Sequence, residues 1–157
     1  MLLVSGCSSI QDDSGSPAAA GGIGEEGIAA EKSIDQWEET GTVASGGVYR
    51  DVRFAYDSDG LDAVAREAIA HNAGIMRSDR SRRIELEGHC DDRGSSEYNL
   101  ALGARRARAV RDALIAEGIS SDRLATVSYG EELPLCKESN EQCWSINRRV
   151  HPVDLNQ

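Results

Sequence analysis

The residues best able to do chemistry are gathered in the segment 88–99, which holds carboxylates and an arginine directly before a predicted helix. Asp91, Asp92 and Arg93 stand there among glycines and serines, a composition typical of a loop. The free N–H groups and the dipole of a helix N-terminus favour anions. We therefore expect a polar binding site where this loop meets the helix.

Arg106 lies on that helix at a position where an apolar residue would be expected. It follows Leu102 by four residues and precedes Val110 by four, so it projects near the apolar stripe. A buried guanidinium needs an anion beside it, whereas the alternative is an arginine that extends along the helix to reach water. Asp91, Arg106 and the helix N–H groups together would match a zwitterion, with its carboxylate on the arginine and its ammonium on the aspartate.

Catalysis is the alternative use of the same loop, with Cys90 as a nucleophile beside His89 and Asp91. Adjacent residues of an extended segment point to opposite faces, so these three side chains cannot converge as a triad. His71 and His151 could approach the loop in principle, but nothing in the sequence indicates that they do. We therefore expect a binding protein with no catalytic residues and no cofactor, rather than a cysteine-dependent hydrolase.

Cys136 and Cys143 stand seven residues apart in a polar stretch. A disulfide between them would close a short surface loop, which suits an oxidising compartment. Zinc is the alternative, but it usually takes four ligands at closer spacing, and the sequence offers no further Cys-x-x-Cys or His-x-x-x-His pair. We expect the disulfide, no metal site and an unpaired Cys90.

The periodicity of the chain predicts the elements that position these residues. Alternating apolar and polar residues predict strands, which are expected at 48–56, 83–87, 124–129 and 147–153. Pro152 suggests that the last strand lies at an edge of the sheet or ends there. Apolar residues at helical spacing predict helices over 61–76 and 97–117, the second closed by Gly118.

The order of these elements is β-α-β-α-β, then a loop that can hold a helical turn, and a final strand. Strands that alternate with helices in this way form βαβ units, whose helices cover a face of the sheet. The sequence therefore predicts an α+β domain of the form β-α-β-α-β(-α)-β, with a mixed sheet and its helices packed on one face.

The acidity of the chain is concentrated in its first part. Of the formal net charge of −10, residues 1–46 carry −7 and residues 47–157 carry −3. The first part is also rich in Gly and Ala, so it cannot bury enough apolar surface to offset its ordering entropy. A nucleic-acid partner is excluded by this charge, and no run of 18 apolar residues offers a membrane-spanning helix.

The first nine residues, with small residues around Cys7 and an apolar run ahead of it, resemble a bacterial lipoprotein signal. Six residues are too few for a complete signal, so 1–6 is interpreted as its remainder, with Cys7 as the lipid-bearing residue. An exposed cysteine in a polar tail is the alternative. We expect 7–46 to be a flexible acidic and Gly-rich tether and 47–157 to be the folded domain.

Five ordered motifs within 47–153 resemble the OmpA-like domain family, and together with the lipoprotein signal they are most similar to its peptidoglycan-associated lipoproteins. The motifs are Phe-Ala-Tyr-Asp at 54–57, Gly-His-Cys-Asp-Asp-Arg-Gly at 88–94, Glu-Tyr-Asn with Leu-Gly-Ala-Arg-Arg-Ala at 97–107, Val-Ser-Tyr-Gly at 127–130 and Asn-Arg-Arg-Val at 147–150. Cys90 stands where the family often has alanine, and 151–153 replaces an apolar run of the last strand.

This resemblance implies non-covalent binding of the diaminopimelate of peptidoglycan stem peptides. The family grips this zwitterion with residues that correspond to Asp91 and Arg106. The turn that contains Phe54, Tyr56 and Asp57 would border the same pocket. Further lining positions would be Arg93, Asn99 and Leu102.

The resemblance also implies a place in the cell envelope. A lipid on Cys7 would hold the chain in the outer membrane, with the domain in the periplasm bound to peptidoglycan. The partners would be TolB and the other proteins of the Tol system, which maintains envelope integrity and serves cell division. The alternative is a lipoprotein with the same binding domain and no Tol partner.

Overall fold

The computed structural model describes residues 48–156, so Cys7, the segment 1–6 and the tether 7–46 lie outside the described residues. Helices and strands alternate along the described part of the chain, which also contains a short 3-10 turn at Ser121–Arg123. The strands are β1 (Val52–Arg53), β2 (Ile84–His89), β3 (Leu124–Gly130) and β4 (Arg149–Asp154), and the helices are α1 (Ala63–Ser78), α2 (Ser96–Ala116) and α3 (Glu141–Asn147). Over residues 48–156, no helix is long and apolar enough to cross a membrane.

The four strands form one mixed sheet in the order β1-β4-β2-β3. β2 and β3 are parallel, and β4 runs antiparallel to both of its neighbours, β1 and β2. The α+β fold predicted from the sequence is therefore confirmed, including a helix in the loop before the last strand.

Helix α1 begins where Asp62 accepts a hydrogen bond from the N–H of Ala65 at 2.7 Å. Its buried residues recur every three or four positions, as an amphipathic helix requires. The one polar member of this buried face is Asn72, whose amide bonds both the N–H and the carbonyl of Arg50 at 2.8 Å. The side chain thus takes the place of a strand partner and joins the segment before β1 to the helix.

Helix α2 begins at the Ser95 cap, whose hydroxyl accepts from the N–H of Tyr98. It ends where Gly118 adopts a φ of +91°, and the N–H of Ile119 returns to the carbonyl of Leu114. The predicted stripe is buried along its length, and Arg106 is buried with it. The helix therefore differs from its predicted range by one residue at each end.

One apolar core lies between the two long helices and the sheet. Its members come from the residues on either side of Arg53, from the inward-facing residues of β2 and β4, and from the apolar faces of α1 and α2. The buried residues of this core are Tyr49, Val52, Phe54, Ala65, Ala68, Ile69, Ala73, Met76, Ile84, Leu86, Ala107, Val110, Leu114, Ile119, Leu124 and Val150.

Helix α2 touches strand β2 backbone to backbone. A Cβ atom added to Gly88 would lie 2.0 Å from the carbonyl oxygen of Gly103, so both positions have to be glycine for the helix to lie this close. This contact fixes the first turns of α2 against the carboxyl end of β2, where the polar loop begins.

The edge position expected for the last strand is wrong. β4 lies inside the sheet, and Pro152 pairs with Leu86 on β2. The missing N–H is tolerated because β1 is only two residues long, far shorter than the predicted 48–56. The register of Val52 with Val150 would bring Arg50 opposite Pro152, and both backbone groups of Arg50 already bond Asn72.

The opposite face of the sheet carries charged residues. The Nδ1 atom of His151 lies 2.6 Å from Oδ1 of Asp51, and Arg149 lies 4.0 Å from the second oxygen of that carboxylate. His89 is buried beside them, and neither of its ring nitrogens has a hydrogen-bond partner within 48–156. Burial, followed by the charges of Arg149 and His151, lowers the pKa of His89 from 6.5 to about 3.

Gly88→Ala is expected to destabilise the domain by about 1–3 kcal/mol, because the added methyl group overlaps the backbone of α2. Urea denaturation at neutral pH measures this free energy of unfolding. Gly74→Ala on α1 is the matched control, since a Cβ there meets no atom within 4 Å and alanine favours the helix. Equal stability of the two variants would contradict the close packing of α2 on β2.

Stability is expected to fall as the pH drops from about 6.5 toward 3. Because His89 has a lowered pKa in the folded state, the unfolded chain takes up a proton in this range before the native protein does. His89→Gln removes this contribution, so its free energy of unfolding should depend less steeply on pH than that of the parent chain. Denaturant titrations between pH 7.5 and 4 make the comparison, and identical slopes would show that His89 is accessible to protons.

Candidate functional site

A cavity opens where the turn after β1, the carboxyl end of β2 and the first turns of α2 meet. It is lined by Tyr56, Asp57, Cys90, Asp91, Arg93, Gly94, Tyr98, Asn99, Leu102 and Arg106. The structure thus brings together seven of the eight residues that the sequence predicted for ligand binding. The eighth, Phe54, is buried beneath the cavity, with its ring 5.2 Å from the guanidinium carbon of Arg106.

Arg106 forms the inner wall of the cavity and is 1% exposed. Its guanidinium donates to the carbonyl oxygens of Ser58, His89 and Ala55 at 2.8, 3.1 and 3.1 Å, and to the sulfur of Cys90 at 3.4 Å. Within residues 48–156 no carboxylate oxygen lies within 4 Å of it, and burial lowers its pKa. Its positive charge therefore faces the cavity without an ion-pair partner in the described part of the chain, and the carboxylates of Asp91 and Asp59 act on it only from farther away.

Asp91 stands in the same cavity and is held by two arginines. Its Oδ2 atom accepts from Arg93 at 2.6 Å and from Arg148 at 3.2 Å, while the one donor to Oδ1 among residues 48–156 is the backbone N–H of Arg93. Burial raises the pKa of this carboxyl, but the bonds from Arg93 and Arg148 outweigh burial and hold it below its usual value. The carboxylate stays ionised, and Oδ1 keeps lone pairs for a further donor.

Arg93 lies between two aromatic rings. Its guanidinium carbon is 3.9 Å from the ring centre of Tyr56 and 4.1 Å from that of Trp144 on α3. The carboxylate of Glu141, also on α3, is 3.6 Å away and receives a hydrogen bond from Arg148 as well. These contacts orient Arg93 toward Asp91.

The sequence prediction did not include Trp144, Glu141 or Arg148 in the site. The only available signal was the Arg148–Arg149 pair. Successive side chains of an extended segment point to opposite faces, so this pair predicts one arginine on each side of the sheet but not which of them contacts Asp91. Nothing in the spacing indicated that α3 would return to the loop 88–94.

The outer wall of the cavity is formed by Tyr98 and Asp57. The hydroxyl of Tyr98 donates to Oδ1 of Asp57, whose backbone has a φ of +49°. Such a conformation is unusual for a residue other than glycine, and it marks a turn that its surroundings hold in place. The turn that carries Tyr56 is therefore fixed against α2.

Asn99 holds the loop rather than pointing freely into the cavity. Its amide nitrogen donates to the carbonyl oxygens of Asp91 and Arg93 at 3.2 and 3.1 Å and to the carboxylate of Glu131. Glu131 also accepts from the hydroxyl of Ser96 at 2.7 Å. The sequence prediction missed Glu131, which joins the loop after β3 to the start of α2.

Cys90 is a free, buried cysteine in the cavity wall. Its sulfur lies 3.3 Å from the carbonyl oxygen of Asn99, and burial raises the pKa of the thiol despite the neighbouring Arg106. The thiol is therefore protonated at neutral pH. Its hydrogen-bond partners are Asn99 and Arg106, not His89, so the geometry does not assemble the nucleophile and base that the hydrolase alternative requires.

Cys136 and Cys143 form a disulfide, as predicted, with their Cα atoms 5.2 Å apart. The closed loop includes the first three residues of α3, and Trp144 on this helix follows it directly. Across residues 48–156 no group of three or more His, Cys, Asp and Glu side chains is arranged to hold a metal ion.

Sequence comparisons place the chain among known proteins. The model of the OmpA family matches residues 53–148. The peptidoglycan-associated lipoprotein of Mesorhizobium japonicum is 38% identical over 150 residues, which cover 96% of this chain and 84% of that protein. The peptidoglycan-associated lipoprotein of Pseudomonas aeruginosa is 37% identical over 153 residues, which cover 96% of this chain and 89% of the relative.

Solved structures agree with these matches. The peptidoglycan-associated lipoprotein from Burkholderia pseudomallei is similar with a TM-score of 0.65 and 38% identity, over 67% of this chain and 89% of that one. The C-terminal domain of Helicobacter pylori MotB shares the fold with a TM-score of 0.62 and 24% identity, over 66% of this chain and 82% of that one. The family match and the lipoprotein relatives show that this chain belongs to the OmpA family.

Proposed function

We propose that the domain binds peptidoglycan without a covalent bond, by gripping the zwitterionic end of a diaminopimelate side chain. The observation that carries this proposal is the buried charge of Arg106, which has no carboxylate within 4 Å in residues 48–156 and faces the same cavity as Asp91. Burying a cation without an anion beside it costs free energy, so a ligand carboxylate next to Arg106 would supply the missing negative charge. The names of the lipoprotein relatives support the same ligand class.

Each end of the zwitterion has a partner in this geometry. A guanidinium has five N–H bonds, and four of those of Arg106 are engaged by protein acceptors. The remaining N–H, on Nη2, and the positive charge serve the ligand carboxylate. The ligand ammonium donates to Oδ1 of Asp91, because the two arginines on this side chain bond the other oxygen.

The residues of the cavity wall contribute to ligand selectivity and do not react with the ligand. Leu102 and the aromatic ring of Tyr56 offer apolar surface to the methylene chain between the zwitterion and the rest of the peptide. The thiol of Cys90 is protonated and bonded within the wall, so it does not attack the bound peptide. Binding is therefore reversible and leaves the peptidoglycan intact.

The anchor is proposed from the sequence around Cys7 and from the lipoprotein relatives. A lipid on Cys7 would hold the chain in the outer membrane and leave the domain in the periplasm. The 40 residues of the tether 7–46, if they form a flexible coil, would span about 32–38 Å on average and could stretch to roughly 140 Å. This reach lets the domain hold the outer membrane to the cell wall as part of the Tol system.

Asp91→Asn is expected to weaken the binding of a soluble diaminopimelate tripeptide by more than about 30-fold, because the ligand ammonium loses its charged partner. Isothermal titration calorimetry measures this loss. Asp92→Asn is the matched control, since Asp92 is exposed and does not line the cavity. A substitution of Arg106 is less informative, because this side chain also bonds three backbone carbonyls and its loss loosens the loops.

The ligand itself supplies the test of Arg106. A tripeptide with lysine in place of diaminopimelate keeps the ammonium and lacks the carboxylate that Arg106 would bind. It should bind the parent chain far more weakly than the diaminopimelate peptide. Equal affinities for the two peptides, or an unchanged affinity of the Asp91→Asn chain, would show that the site does not recognise a zwitterion.

The Tol partner is tested separately. Full-length chain captured from detergent extracts of its own cells should bring TolB with it, whereas an extract of cells that lack the chain should not yield TolB on the same resin. Retained binding to peptidoglycan without TolB would favour the alternative, a lipoprotein with this domain and no Tol partner.

A further inference from the structure

The loop closed by the Cys136–Cys143 disulfide carries a residue that touches both arginines of Asp91. This residue is Glu141, which lies inside the closed loop and is the first residue of α3. One of its oxygens is 3.6 Å from Arg93, and the other accepts from Arg148. Each arginine therefore bridges Asp91 and Glu141, an arrangement that we call the arginine bridge.

Trp144, the residue next to the closed loop, also contacts the arginine bridge, through its ring. Trp144 follows Cys143 directly, and the centre of its ring lies 4.1 Å from the guanidinium carbon of Arg93, as close as the ring of Tyr56 at 3.9 Å. Contact with two aromatic rings restricts a guanidinium more than one ion pair does, because each ring adds a cation–π attraction of its own. The direction in which Arg93 points to Asp91 thus depends on the position of α3.

Helix α3 cannot hold this position by its own stability. It has seven residues, and helices this short are not stable alone in water. Its start is fixed by the disulfide, with Cys143 1% exposed, and by Asn140, which accepts from the N–H of Cys143 at 2.9 Å. Its end is fixed by Asn147, whose amide bonds the N–H and the carbonyl of Cys136.

We propose that the disulfide-closed loop 136–143 is a positioning element of the ligand site, so that opening the Cys136–Cys143 bond lowers the affinity for the zwitterion. The effect passes through Glu141 and Trp144 to the arginine bridge, and from there to Asp91. This inference rests on the proposed function, because it concerns the strength of the same site. A dithiol reductant is sufficient to open the bond: the S–S bond breaks, the protein gains two thiols and the reagent becomes its cyclic disulfide.

The most selective test is Glu141→Gln in the full-length chain. Glu141 is largely exposed, so its substitution leaves the core untouched and removes only the charge that holds the two arginines. The affinity for the diaminopimelate tripeptide should fall about two- to fivefold. Glu132→Gln is the matched control, because it removes the same charge from an exposed side chain that lies outside the closed loop and does not line the cavity.

Trp144 and the disulfide are tested by the same titration. Trp144→Ala should weaken binding by about three- to thirtyfold, and Trp144→Phe should restore most of it because a ring again covers Arg93. Dithiothreitol should weaken binding to the parent chain at least as much as Glu141→Gln does. It should have no further effect on a chain in which Cys136 and Cys143 are both replaced by Ser.

A readout without ligand separates this inference from the proposed function. The Nε–Hε signal of Arg93 in an NMR spectrum, assigned by its loss in Arg93→Lys, should be shifted by the ring currents of Tyr56 and Trp144. Reduction or Trp144→Ala should move it toward the position of an exposed arginine while the signals of the core stay unchanged. An unmoved signal together with unchanged affinity on reduction would overturn the inference, whereas a parent chain that binds no tripeptide at all would overturn the proposed function alone.

Discussion

The buried charge of Arg106 is the constraint on which the rest of the site depends. A guanidinium this deep must satisfy its N–H groups, and it does so by bonding the carbonyls of Ala55 and Ser58 after β1 and of His89 at the end of β2. One side chain of α2 thereby joins the two loops that form the cavity. It reaches both because the Gly88–Gly103 contact brings the helix backbone onto the strand. The close packing of Gly88 on Gly103 is therefore what allows the buried guanidinium of Arg106 to reach its carbonyl acceptors.

Asp91 and Arg106, the two charged side chains of the cavity, differ in how far other protein charges compensate them. Asp91 is neutralised within the protein by Arg93 and Arg148, whereas Arg106 has no carboxylate within 4 Å in the described residues. The cavity as a whole therefore favours a ligand that brings a negative charge, and the free lone pairs of Asp91 favour one that also brings an ammonium. A simple anion or a simple amine would satisfy only half of it. The preference for a zwitterion that we propose would thus arise from the unequal compensation of the charges of Asp91 and Arg106.

Patterns in the sequence predicted those parts of the fold that depend on interactions between residues close together in the chain. The stripe of α2 and the position of Arg106 on it follow from helical spacing, and the cap at Gly118 follows from its backbone freedom. The roles of Trp144 and Glu141 could not be predicted, because a seven-residue helix leaves no periodic signal and its position depends on a cross-link. The place of Pro152 inside the sheet was misjudged for a related reason, since its missing N–H is tolerated only because Asn72 satisfies Arg50.

The site is assembled from segments that are far apart in sequence, and each is held by a different kind of interaction. The segment 54–58 is held by Arg106, the loop 88–94 by Asn99 and Asp91, and the segment 141–148 by the disulfide and Asn147. The last of these contributes no residue to the apolar core cluster, and a covalent bond holds it in addition to hydrogen bonds. Such a bond persists only in an oxidising compartment. If this loop positions the ligand site as we propose, the domain would bind at full strength only after Cys136 and Cys143 have been oxidised, which matches the periplasmic location proposed for it.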